Sequence, residues 1–119
     1  MRTLQNLPPN PGLEWLQGIY ELTFTRRKTW VNQSRMLTRI VEFLGPKRKP
    51  LDVFRPDVVE FLEWLKAKHH FRDATIGSHR EAGFLFWQWM EDNYLIGPGS
   101  NPFYKGETRT YSYTGPIKP

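Results

Sequence analysis

The residues best able to do chemistry are few: three histidines, of which His69 and His70 are adjacent and followed by Phe71 and Arg72, while His79 stands alone. Adjacent histidines suggest a metal, yet neighbouring positions rarely bind one ion, and Asp73 is the only carboxylate close in sequence. Cysteine is absent, which removes disulfide frameworks, thiolate zinc sites, redox motifs and cysteine nucleophiles. No nucleophile and base pair, phosphate loop or metal cluster is legible, so a free-standing enzyme has little support. The expectation is a chain with no catalytic residue, metal or cofactor of its own, whose work is binding.

What it binds is suggested by charge. Lys and Arg outnumber Asp and Glu 17 to 12, a formal net charge of +5, and the excess is uneven. Residues 26–49 hold eight basic side chains (26, 27, 28, 35, 39, 47, 48 and 49) against one acid, Glu42. A second cluster, Lys66, Lys68, Arg72 and Arg80 with the three histidines, is opposed only by Asp73. Each lies just before or at the start of a predicted helix, so basic side chains and positive helix ends can converge on one phosphate-favouring surface. Ordinary solvated faces and polar loops give the same pattern.

The elements that must position these residues are helical. With 119 residues, 39% of them apolar and 15% aromatic, the chain has room for one domain with a filled core. Residues 1–11 contain Pro8, Pro9 and Pro11 and read as an extended lead-in. Leu13, Leu16, Ile19, Tyr20 and Leu22 predict a helix A over 12–24. Helix B is expected from an N-cap at Thr29 to Leu44, with Trp30, Leu37, Ile40, Val41 and Leu44 as its buried stripe and Gly45-Pro46 as its stop. Residues 45–53 read as a loop. Helix C follows with Pro56 at its first position, Phe54 stapled over Val59, and Val58, Phe61, Leu62 and Leu65 facing inward.

The polar run Lys66 to Arg72 reads as a break, after which Asp73 caps a long helix D reaching Tyr94. Ile76, Gly83, Trp87, Met90 and Tyr94 form its stripe, widened by Phe84, Phe86 and Trp89, which predicts a nearly central helix. From Gly97 onward four glycines and four prolines, with no helical period, predict a tail or linker over 97–119, whose 108–113 alternation allows a short strand against a partner. The helical domain is thus expected over 12–96. Among the five tryptophans, Trp64 and Trp89 are the candidates for partial exposure, and the rest are expected in the core.

Four segments in order resemble the core-binding domain of the tyrosine recombinase and phage integrase family. Arg26-Arg27-Lys28-Thr29-Trp30 with Leu37 to Gly45 looks like that family's helix B, and Pro50 to Leu65 like its helix C. Asp73 to Met90 looks like helix D, with Ala74-Thr75-Ile76 at its opening and Phe86 and Trp89 late in it. Asn101-Pro102-Phe103 looks like the turn where the linker to the catalytic domain begins. Gln33 departs from the pattern where the family favours an aromatic, and Arg80 where it favours leucine. Arg80 is therefore expected to alter the packing of helix B on helix D or to turn outward toward DNA.

The resemblance implies an all-α, four-helix, SAM-like fold, and a domain that grips double-stranded DNA at a recombination site while a separate domain of the same polypeptide cleaves it. It also implies further protomers meeting on the DNA. The H-x-x-R of His69 to Arg72 matches part of the family's catalytic signature but stands in a predicted loop, far from a framed tyrosine, and takes no catalytic role. The DNA-contact candidates are Arg26, Arg27, Lys28, Thr29, Gln33 and Arg35 around the start of helix B, and Arg72, Thr75, Ser78, His79 and Arg80 around helix D. Arg and Lys would hold phosphates, whereas Gln33, His79 or Arg80 would reach base edges. The alternatives are a helical protein-interaction module and a stand-alone DNA-binding regulator. No stretch approaches the roughly 20 apolar residues of a membrane span, and the N-terminus lacks a signal-peptide core, so the expected location is cytoplasmic.

Overall fold

The first amides of helix α1 (Leu13–Glu21) are satisfied by another loop instead of by a capping side chain. Leu13 N–H donates to the Arg48 carbonyl (2.9 Å) and Glu14 N–H to the Pro46 carbonyl (2.8 Å). Gly12 permits this approach, because a Cβ there would sit 2.9 Å from the Lys47 backbone. Leu13, Leu16, Ile19 and Tyr20 then recur at helical spacing and bury one face. The computed structural model describes residues 10–25 and 27–103, with the backbone alone for Arg27, Lys28 and Thr29. The lead-in over 1–9, Arg26, and the tail from 104 with its possible strand lie outside the described residues.

Helix α2 (Arg27–Leu44) starts two residues before the expected cap, so Thr29 is inside the helix. Leu37, Ile40, Val41 and Leu44 are buried, but Trp30 is 44% exposed and leaves the expected stripe. Gly45 ends α2 with φ +118, a conformation that favours glycine, and donates its N–H to the Val41 carbonyl. The following loop contains one 3-10 turn, Pro50–Asp52.

Helix α3 (Arg55–His69) is capped by Phe54, whose N–H donates to the Asp57 carboxylate at 2.9 Å. Phe54 itself is 62% exposed, so the expected staple over Val59 is displaced by one residue. Val53 and Val58, at the positions flanking this cap, are the buried pair. The expected break at Lys66 does not occur. Lys66, Ala67 and Lys68 are good helix formers, cations favour the negative end of the dipole, and left-handed His70 (φ 56) ends the helix instead.

Helix α4 (Asp73–Asp92) takes Arg72 as its N-cap and Asp73 as its first helical residue. Ile76, Ala82, Gly83, Phe86, Trp87 and Met90 are buried, whereas Tyr94 falls beyond the helix at φ 59 and is exposed. Both α2 and α4 pack against the other three helices, so the centre is shared between them. The chain then returns to the core: Ile96 and Phe103 are buried, and Asn101 donates from its amide Nδ2 to the Phe84 carbonyl and from its N–H to Glu91. The packed body therefore includes residues 97–103, which the sequence places in the linker. The described residues form an all-α, four-helix domain.

Candidate functional site

The N-terminal halves of α2 and α4 border one open groove. Asn32, Gln33 and Met36 form one wall, and Asp73, Ala74, Ser78 and Glu81 the other. Small residues on α4 at 74, 77 and 78 leave space between the helices here. Gln33 is half-buried, and Ser78 is exposed with its hydroxyl donating to the Ala74 carbonyl at 3.1 Å. Arg72 and Thr75 are exposed at the start of α4. Thus four of the expected contacts, Gln33, Arg72, Thr75 and Ser78, belong to one end of the domain. Arg26 and the side chains of Arg27, Lys28 and Thr29 lie outside the described residues.

His79 and Arg80 are not surface residues. Arg80 is 4% exposed at the floor of the groove, so it does not turn outward; the slot where a leucine was expected takes its long aliphatic stem inward. His79 is 1% exposed, and its Nδ1–H donates to the Thr75 carbonyl (2.8 Å), one turn back. Both are thereby removed from the set able to reach base edges directly.

His79 instead joins a cluster that crosses three elements. Its Nε2 accepts a hydrogen bond from Arg39 of α2 at 3.1 Å, and the Arg39 guanidinium lies 5.2 Å from the centre of the Phe71 ring. Phe71 stacks on His79 (5.5 Å) and on His69 (5.1 Å), which meets Trp64 edge-on. Burial pushes the His79 imidazole below its ordinary range; the Arg39 and His69 charges push the same way, and the Thr75 hydrogen bond opposes them. The neutral Nδ1–H tautomer satisfies both bonds at once. The H-x-x-R histidine at 69 is thus the last residue of α3, not a loop residue, and its ring is packed between Trp64 and Phe71.

Arg39 is the residue that sequence reasoning passed over. It shares a face with Arg35, one turn away, and the two border a surface depression with Trp30, Val31, Ser34 and Thr38. That face is turned away from Gln33, two residues and about 200° from Arg35 along the helix. The repeat of Arg35 at i+4 was a signal in the sequence, but the contact with His79, 40 residues later, was not.

The Lys47-Arg48-Lys49 cluster divides as well. Arg48 donates to the carbonyls of Leu44 (3.3 Å) and Asp52 (2.9 Å) and pairs with Asp57 (3.0 Å), tying three segments together. This loop follows the C-terminal end of α2, an 18-residue helix about 27 Å long, so residues 26–49 do not make one basic patch. Trp64 and Trp89 are half-buried, Trp64 against Phe43 and Trp89 against Tyr20 (5.1 Å each), which makes them packing groups. Among the described residues no three His, Asp or Glu side chains are placed to hold a metal ion, and no helix is long and apolar enough to cross a membrane. No family model, curated protein or solved structure matches the chain.

Proposed function

We propose that this chain is a duplex-DNA-binding domain of the tyrosine recombinase type, gripping the site while strand cleavage belongs to a catalytic domain of the same polypeptide. The observation that carries the reading is the shared groove: the starts of α2 and α4, where the family's resemblance puts DNA, are neighbours in space. Arg72 and Arg35, with Arg27 and Lys28 from the sequence, supply phosphate contacts, and Gln33 and Ser78 on the groove wall, with the exposed Thr75 at the start of α4, are the polar groups for base edges. In this reading the domain works in the cytoplasm, with further protomers on the same DNA.

The test is titration of a labelled duplex at several salt concentrations. About five phosphate contacts give a log affinity against log salt slope of about −4 to −5. Absence of duplex binding at low salt sinks the proposal. A helical protein-interaction module is the second reading, favoured by the exposed Trp30 and Val31 beside Arg35 and Arg39. Binding to an acidic protein with no affinity for duplex DNA would select it.

A further inference from the structure

Arg39 is held in place by two groups that leave its charge intact. An arginine fixed for packing or stability is commonly matched to a carboxylate, as Arg48 is to Asp57. Arg39 is not a partner in the ion pairs of Arg48 with Asp57 or Lys66 with Asp73. Its guanidinium instead lies over the Phe71 ring and gives one N–H to the neutral imidazole of His79. A guanidinium carries five N–H donors in a fixed fork, so this bond orients the group and leaves donors for a ligand.

The surroundings of that fork suit an anion. Arg35 stands one turn earlier on the same face, roughly 5–6 Å away at Cβ, so two guanidinium groups can reach one neighbourhood. Ser34 and Thr38 border the same depression with hydroxyls. Gln17 donates its amide to the Thr38 oxygen at 3.1 Å, leaving the hydroxyl proton for another acceptor. Two arginines and two hydroxyls line the depression without an acid, the Glu21 carboxylate standing behind the Gln17 amide at 2.7 Å, and they make a surface for a backbone phosphate on the flank of α2 turned away from the groove. A helix in a major groove has phosphates on both flanks.

We propose that Arg39 and Arg35 form a phosphate clamp of the DNA interface, and that His79 is its positioning residue, holding Arg39 through a hydrogen bond only its neutral ring can accept. The proposal rests on the duplex-DNA reading above. It makes the clamp sensitive to acid. A protonated His79 has no lone pair for Arg39 and repels it, so the guanidinium loses its anchor. The charged groups facing His79 are Arg39 from α2 and His69 from the end of α3, and both oppose protonation. His69 and His70 are exposed and are the same in every variant, so their effect on DNA attraction cancels in a ratio of affinities at one pH.

The experiment compares duplex affinity of the whole chain with that of Arg39→Lys, which keeps the charge but loses the planar fork, from about pH 8 to about pH 5. At the upper end wild type binds about fivefold more tightly than Arg39→Lys, and towards the lower end this ratio falls to about one. A ratio of one at every pH overturns the clamp, and a fivefold ratio that persists to the lowest pH overturns the role of His79. Absence of duplex binding by the wild type overturns the DNA reading itself and the clamp with it. Because Arg39 is only part-buried, Arg39→Lys is expected to fold; NMR titration of His79, whose pKa should rise in Arg39→Met, checks the coupling without DNA.

Discussion

Phe103 lays its ring against Gly83 of α4, with its centroid 5.1 Å from that of Trp87. The contact exists because Gly83 has no side chain: a Cβ there would overlap the ring. Asn101 sets the geometry, its side-chain oxygen accepting from the Phe103 N–H at 3.0 Å while its amide holds the Phe84 carbonyl. A segment with the composition of a linker is thus a fifth piece of the core.

Gly83→Ala therefore lowers stability. In an ordinary helix interior this change gains up to about 1 kcal/mol, but overpacking costs about 1–3 kcal/mol and wins here. Phe103→Ala costs about 3–5 kcal/mol, and in that background Gly83→Ala becomes neutral or favourable. Urea unfolding of the four-protein cycle measures this; additive effects would contradict the contact.

Arg48→Ala lowers stability by about 1–2 kcal/mol, through lost hydrogen bonds to two carbonyls and to Asp57, with the ion pair itself discounted because both side chains are about one-third to one-quarter exposed. Lys47→Ala, a change at an exposed neighbour, stays within about 0.5 kcal/mol. Thermal unfolding of the two variants side by side reads the difference, and equal melting temperatures would show that the tie is not structural.

Acid weakens the fold through His79. Its folded-state pKa is lowered by burial, so the unfolded chain takes up the proton more readily. The stability it confers is full above about pH 6.5, the ordinary imidazole value, and is lost as pH falls from there toward the lower folded-state value. Urea midpoints across that window should fall more for wild type than for His79→Gln, whose side chain does not titrate. Parallel curves would place the acid sensitivity elsewhere.

Charge reversal separates the proposed DNA face from the loop that follows α2. Arg35→Glu and Arg72→Glu are each expected to weaken duplex binding about tenfold or more and to flatten the salt dependence by about one contact. Lys47→Glu, beyond the far end of the helix, should change both much less. Fluorescence anisotropy at matched salt checks the order, and equal losses at all three sites would indicate diffuse attraction without a defined face.

The apolar periodicity of the chain was enough to determine the four helices and most of their buried faces, because side chains at three- and four-residue spacing must share a side and find cover. It also determined Gly45 as a stop and the helical start near Pro56, where local backbone chemistry decides. Helix ends were less legible: Lys66 to His69 look like a loop by polarity, yet good helix formers at the negative end of a dipole extend α3. Tertiary structure alone decided which polar residues face solvent. His79 and Arg80 look like surface groups by type, but long-range partners, Arg39 for His79 and the α2–α4 junction for Arg80, place them inside. Phe103 entered the core for the same reason: its pocket is a missing Cβ twenty residues earlier, and only folding brings the two together.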